Sequence, residues 1–257
     1  MMVTFKDIAT HSKIVDENDF FSHFHDPDAL FRYDSNFFQL KYSPTMEEFE
    51  LIETMQLVFS EENGLSHVKF YWPENQGIRP DTLAYLDQKN YGLEKLELYA
   101  IAPADYAFSG SNPDIDVQVV TEDMLETFKA INYIEDKTIS VSFAEAKQPF
   151  YDRLFDDDQV TFLLAFYKGQ PAGSCILVES SAGLELDDLF TLEAYRKKGV
   201  ATALMGHIAA QAQAQAKQTI VYLVADAEDS PKEMYVKAGF NYEGFRIGAQ
   251  KVIKGED

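Results

Sequence analysis

Apolar residues recur along this chain in two rhythms, and the rhythm changes at recognisable punctuation. From residue 117 onward, short β-branched and aromatic runs alternate with helical patterns. Val117-Gln118-Val119-Val120 predicts a strand, and Thr121 predicts an N-cap for a helix reaching about Ile131. A second helix is expected from about Phe143 to Phe155, kinked or broken at Pro149. Val160 to Tyr167 and Ala172 to Glu179 flank Lys168-Gly169-Gln170-Pro171, the pattern of a hairpin. Gly183 opens a strand from Leu184 to Leu192, and Val200 to Ala216, rich in strong helix formers, predicts a long helix. Thr219 to Ala225 reads as a strand, Lys232 to Lys237 as a short helix ending at Gly239, and Phe245 to Val252 as a last strand.

The first half repeats part of this order more faintly. Phe37 to Tyr42 is strand-like, and Pro44 to Phe59 is amphipathic, with Met46, Phe49, Ile52, Met55 and Phe59 near one stripe. His67 to Trp72 predicts a strand, Asp81 a cap for a helix to about Lys89, and Leu93 to Ile101 a further strand. Leu86 to Leu93 parallels Met234 to Phe240, a pattern that suggests a diverged repeat. Between the halves, residues 102–114 gather Pro, Gly, Ser and Asn with neither rhythm. A cut there gives a domain over 1–105, a linker over 106–115 and a second domain over 116–257. The fold class expected is mixed α/β (α+β), with a mainly antiparallel sheet wrapped by helices.

Composition narrows the function. At 46% hydrophobic, the 257 residues suffice for full cores. Twenty-two basic against 43 acidic residues leave a net charge of −21, which repels phosphate backbones and anionic lipid. Nucleic acid and membrane surfaces are therefore not the expected partners; a cationic molecule is favoured. The single cysteine, Cys175, lies in the apolar run Gly173 to Val178 and reads as a buried, inert thiol. Met1 to Asp7 holds no apolar signal segment, and Phe162 to Tyr167 is too short to span a bilayer, so a reducing, cytoplasmic setting is expected. His23 and His25 with Asp26 and Asp28 have metal-like composition, yet no second ligand cluster recurs. They read as surface histidines on a loop, and no metal is expected. His207 is expected to pack or face solvent.

One stretch stands out chemically. A strand ending in Phe190-Thr191-Leu192 runs through Arg196-Lys197-Lys198-Gly199 into a helix opening with Val200-Ala201-Thr202. A basic turn, a glycine and small residues at a helix start provide the backbone N–H groups and positive helix end that an anion requires. Arg196 to Lys198 is the one run of three basic residues in an acidic chain. The plainer alternative is a permissive glycine in a strand–helix turn beside a solvated basic face.

This segment resembles the acyl-CoA-binding motif of GNAT-type N-acetyltransferases, Arg/Gln-x-x-Gly-x-Gly/Ala, here Arg196-Lys197-Lys198-Gly199-Val200-Ala201. A second landmark, Tyr-x-Lys-x-Gly-Phe, stands as Tyr235-Val236-Lys237-Ala238-Gly239-Phe240. The resemblance covers about residues 116–252 and implies a GNAT-like fold, with the first half a degenerate second copy, hence two tandem domains. It further implies acetyl transfer from acetyl-CoA, a co-substrate, to a primary amine. Phe190, Thr191 and Leu192 would flank the pantetheine arm, Lys197 through Thr202, with Arg196 beside them, would surround the pyrophosphate, and Tyr235 would protonate the departing thiolate. Where the family often has Asn, this chain reads Glu228-Asp229-Ser230-Pro231. In the first half the equivalent of the glycine turn is Tyr42 to Glu48, an acidic helix start that would repel a pyrophosphate, so no cofactor is expected there.

The amine must lose a proton. Strand alternation puts Glu185 and Asp187 on one face, where paired carboxylates would bind a cationic amine and take its proton. A solvated acidic edge explains them equally well. A non-catalytic acyl-CoA-binding or interaction module remains the rival to the transferase. Polyamine, aminoglycoside, amino acid and protein amine are all open as acceptors, with a lean towards a small cationic molecule; oligomeric state is open, a homodimer included.

Overall fold

Residues 3–107, 112–214, 219–228 and 232–253 are described by the structure, a computed structural model. In chain order the strands are β1 (Lys13–Glu17), β2 (Phe21–His25), β3 (Phe37–Leu40), β4 (His67–Tyr71), β5 (Gly92–Ile101) and β6 (Ile115–Val119). They continue as β7 (Val160–Tyr167), β8 (Gln170–Glu179), β9 (Gly183–Thr191), β10 (Ile220–Asp226) and β11 (Asn241–Val252). The helices are α1 (Met46–Glu62), α2 (Pro80–Gln88), α3 (Leu125–Ile139), α4 (Val141–Phe155), α5 (Val200–Ala214) and α6 (Lys232–Ala238). The chain gathers into two compact units, and neither is one continuous stretch. The first comprises residues 4–98, 225–228 and 244–253; the second comprises residue 3 with 99–107, 112–214, 219–224 and 232–243. Strands β5 and β11 each begin in one unit and end in the other.

In the first unit the strand order begins β1-β2-β3-β4-β11, with β3 and β4 parallel and the other pairs antiparallel. One sheet face carries Phe38, Phe70 and Trp72, and α1 sets Phe49 against it, with ring centroids 4.9 Å from Phe70 and 5.6 Å from Trp72. Tyr85 of α2 and Tyr91 close the same cluster. The buried stripe of α1 differs from the expected one. Phe49 and Ile52 are buried, but so are Glu53, Gln56 and Ser60, while Met55 is exposed. The polar members are held by partners: Glu53 accepts hydroxyls of Tyr85 and Tyr91 at 2.6 Å each, and Gln56 and Ser60 donate to carbonyls of Lys69 and His67. Apolar spacing misplaces such a stripe because hydrogen-bonded polar groups can be buried too.

Other expectations are corrected here. His23 and His25 lie in β2, buried, with His25 Nδ1 2.7 Å from Asn36 Oδ1, and not on a surface loop. Among the described residues no three His, Cys, Asp or Glu side chains are placed to hold a metal ion. Asp81 does not cap α2: Arg79 is at the cap, Pro80 fills the first position, and Asp81 instead accepts the Met46 N–H.

In the second unit the order ends β10-β9-β8-β7-β6, with β9 and β10 parallel and the others antiparallel. Phe128 of α3 and Tyr151 of α4 pack on Phe162 of β7, and Cys175 is fully buried. Thr121 precedes a 3-10 turn, so α3 starts later than expected, at Leu125, and runs on to Ile139. Helix α4 continues through Pro149 instead of breaking. Pro149 and Glu145 are both exposed, so water can serve the carbonyl that the proline leaves without a donor. Of the Pro/Gly/Ser stretch at 102–114, residues 108–111 lie outside the described residues. No helix among the described residues is long and apolar enough to cross a membrane.

Two buried imidazoles make stability depend on pH. Burial lowers His67 to about 4, and burial with the nearby His25 lowers His23 to about 4. Their unfolded value is 6.5, so between pH 6.5 and 4 the unfolded chain binds the extra proton. Their contribution is full above pH 6.5 and is lost as pH falls towards 4, on the order of 3 kcal/mol for each group. Urea unfolding at pH 7 and pH 5 should show a lower midpoint at pH 5; an unchanged midpoint would mean the imidazoles are not buried neutral.

Candidate functional site

Parallel pairing between β9 and β10 runs from Gly183↔Ile220 to Glu185↔Tyr222 and then stops, although both strands continue. The cause lies on the other side of β9. Asp187 pairs with Ile176 and Phe190 with Ser174, so β9 holds one more residue than β8 across this span. This is a β-bulge, with Asp188 at φ +51°. It bends β9, and the parallel register with β10 does not extend beyond Glu185↔Tyr222. Close approach then fixes the strand's end. A Cβ on Gly173 would stand 2.5 Å from the Phe190 carbonyl oxygen and 2.8 Å from Val200 Cγ1, so glycine is required where β8, β9 and α5 meet.

The chain leaves β9 through a 3-10 turn, Glu193–Tyr195, and enters α5 at Val200. Lys197 at φ +63° and Gly199 at φ +92° are both left-handed, which turns successive N–H groups to one side. The first helical bond is from Ala203 N–H to the Gly199 carbonyl, at 2.9 Å. The N–H groups of Lys197, Gly199, Val200, Ala201 and Thr202 find no acceptor among the described residues. Arg196, Lys197 and Lys198 are exposed around them. The Lys198 ammonium sits 5.0 Å from the ring centroids of both Tyr167 and Tyr195, and Asn112 donates to the Lys198 carbonyl. Thr191 Oγ1 is buried without a partner, and the Thr191 carbonyl accepts from Arg196 Nε at 3.4 Å. The Leu192 N–H is engaged with Ala172 O at 3.0 Å, and its carbonyl accepts from Tyr195 N–H at 2.8 Å. An acyl-CoA fits this set: free amides for a pyrophosphate, and an open strand edge with an orphaned hydroxyl for the arm.

Tyr235 of α6 is buried at 8% exposure, its ring 6.0 Å from Tyr99 and 6.1 Å from Phe240. Its hydroxyl makes no hydrogen bond among the described residues, and burial raises its pKa, keeping it a proton donor. Glu185 is buried at 5% exposure at the last position of β9 that pairs with β10. Asp187 is half-buried and turns its Oδ1 back onto the Asp188 N–H at 2.8 Å. Of the run Glu228-Asp229-Ser230-Pro231, residues 229–231 lie outside the described residues.

Sequence reasoning missed a charge cluster beside the bulge. Lys147 of α4 reaches Asp136 Oδ1 of α3 and Asp188 Oδ2 of β9, both at 2.8 Å. The Tyr151 hydroxyl, one helical turn further on, lies 3.0 Å from Asp136 Oδ2 and 3.2 Å from Asp188 Oδ2. Burial opposes the charge on Lys147, but Asp188 and Asp136 outweigh it and its pKa is raised. Burial also raises Asp136, with Lys147 pulling the other way, and it raises Tyr151. Lys147 and Tyr151, four apart on a helix, were legible as a pair; Asp136 and Asp188 join them only through tertiary packing.

Gly173→Ala should destabilise the chain by about 1–3 kcal/mol, because the Phe190 carbonyl and the β-branched Val200 both crowd the new methyl. Thermal unfolding would check this, and an unchanged midpoint would contradict the close β8–β9–α5 contact.

Residues 122–240 match the model of the Acetyltransferase (GNAT) family, and residues 3–99 match a Domain of unknown function (DUF5613). No curated protein matches the chain. Among solved structures, the chain is similar to a functionally unknown conserved protein from Staphylococcus epidermidis ATCC 12228, with TM-score 0.88 and 23% identity, covering 97% of this chain and 98% of that one. A GCN5-related N-acetyltransferase from Sphaerobacter thermophilus matches with TM-score 0.56 and 16% identity over 80% of this chain and 69% of that one. A tandem GNAT protein from the clavulanic acid biosynthesis pathway matches with TM-score 0.55 and 8% identity over 81% and 70%. At these identities the likeness is one of fold.

Proposed function

From the match of residues 122–240 to the GNAT acetyltransferase family model and the likeness of fold to a tandem GNAT protein, we propose that the protein transfers an acetyl group from acetyl-CoA to the primary amine of a small cationic molecule. Both substrates are bound together and the amine attacks directly. The observation that carries this reading is the set of acceptor-free N–H groups at Lys197 and Gly199 to Thr202, placed at the end of an opened strand edge. In the proposed division, residues 116–257 carry the chemistry and 1–105 form a companion domain.

Acetyl-CoA supplies the activated thioester carbonyl. Lys197 and Gly199 to Thr202 present their N–H groups to its pyrophosphate, and Arg196 and Lys198 add positive charge that offsets the acidity of the rest of the chain. Phe190 and Thr191 face the arm along the opened edge, with Leu192 beyond them. Glu185 or Asp187 takes the proton that the amine must lose, and draws an ammonium to the site beforehand. Tyr235, held protonated by burial, delivers a proton to the leaving sulfur. This support is chemical in kind: each role needs only the donors and acceptors the residues already hold.

The test is thiol release from acetyl-CoA with spermidine, kanamycin and free lysine as acceptors. Acetyl-CoA-dependent turnover of one of them is expected; binding of acetyl-CoA without turnover of any amine would favour the non-catalytic module. Gly199→Glu, which puts a carboxylate among the free amides, should weaken acetyl-CoA binding about 100-fold, or ~3 kcal/mol. Gly199→Ala controls for backbone strain at φ +92° and, with its Cβ 3.9 Å from Ile115 Cδ1, should keep affinity within about tenfold. Equal affinity for the Glu variant and the unmodified protein would contradict the anion cradle. Tyr235→Phe should lower kcat about 100-fold while KM for acetyl-CoA changes little. An unchanged kcat would reduce Tyr235 to packing.

A further inference from the structure

The charge cluster on α3, α4 and β9 is assigned no role by the motif residues, and its placement gives it one. We propose that Lys147 is a positioning residue for the acyl-donor site: it clamps Asp188 and thereby fixes the β9 bulge that aims Leu189, Phe190 and Thr191 at the opened edge. The inference rests on the acetyl-CoA reading above for its functional half and on geometry alone for its structural half.

A bulge is a register choice. Asp187 pairs with Ile176 and Phe190 with Ser174 only while β9 keeps its extra residue. If β9 absorbed that residue, everything beyond it would slip by one, and each side chain from Leu189 to Thr191 would turn to the opposite face. The N–H and carbonyl groups offered along the edge would exchange places as well. The bulge therefore requires something to hold Asp188, a non-glycine residue at φ +51°.

Lys147 supplies that hold. Its ammonium lies 2.8 Å from Asp188 Oδ2 and 2.8 Å from Asp136 Oδ1, and its side chain is 11% exposed. Tyr151 donates into the same pair of carboxylates, and the Lys147 ammonium is 5.1 Å from the Tyr151 ring centroid and 5.7 Å from that of Phe143. The α3–α4 pair is thus tied to one residue of β9, two positions before Phe190. Lys147 touches neither reacting atom; it acts through Asp188.

The test compares Lys147→Met, Lys147→Arg and the double variant Lys147→Met with Asp136→Asn. Amide exchange of the ligand-free chain over residues 184–192 reads the bulge, acetyl-CoA titration reads the site, and thermal unfolding reads stability. Lys147→Met should exchange at least about tenfold faster over 184–192 and bind acetyl-CoA about tenfold more weakly. The double variant, which no longer buries two carboxylates without a cation, should regain much of the lost stability yet keep both defects. Lys147→Arg should stay within about threefold of the unmodified protein in both readouts. If the double variant recovers exchange and affinity along with stability, Lys147 serves stability alone and the clamp is overturned. If exchange over 184–192 accelerates as stated while the unmodified chain binds no acetyl-CoA, the clamp stands and the acetyl-CoA reading falls.

Discussion

Everything proposed for this protein depends on two parallel strands that stop pairing. Strands β9 and β10 share a ladder only up to Glu185↔Tyr222, and the bulge that follows turns β9 away. A strand edge left open inside a sheet holds backbone groups without partners, which is costly unless something else meets them. Here the diverging strand leads straight into N–H donors at Lys197 and Gly199 to Thr202 that find no acceptor among the described residues. Two deficits in series match the two ends of an extended ligand with a polar, peptide-like arm and an anionic head.

Helices α1 and α5, one in each half, differ in how their first turns are satisfied. Helix α1 closes on itself: Thr45 Oγ1 accepts from Glu48 N–H, and Glu48 Oε2 accepts from Thr45 N–H. Its first turn also carries Glu47 and Glu48, which repel anions. Helix α5 has no acidic residue in its first turn, and its leading amides are free. The difference is a handful of residues in otherwise comparable strand–helix turns. The difference supports the proposal of an acyl-CoA site in the half that carries the basic glycine turn.

Much of this was legible from the sequence, and the reasons for the exceptions are physical. The strand–turn–helix at 183–204 was readable because glycine, basic residues and small residues each leave a local signature. The hairpin of β7 and β8 was readable from its turn. The buried face of α1 was not, because Glu53, Gln56 and Ser60 are buried through hydrogen bonds to residues distant in the chain. The buried histidines of β2 were missed for the same reason: His25 is held by Asn36, which no periodicity reveals. The bulge was hidden most completely. Strict alternation from Glu185 gave Asp187 its face but could not announce the extra residue at Asp188, nor the lysine on α4 that holds it.

The most direct test is calorimetric titration of the full chain with acetyl-CoA at low salt. The account predicts saturable binding at one site per chain, weakened by added salt, as an anion held by amides and lysines requires. Two sites per chain would contradict the reading of the first half, and no binding at all would contradict the acyl-CoA site itself.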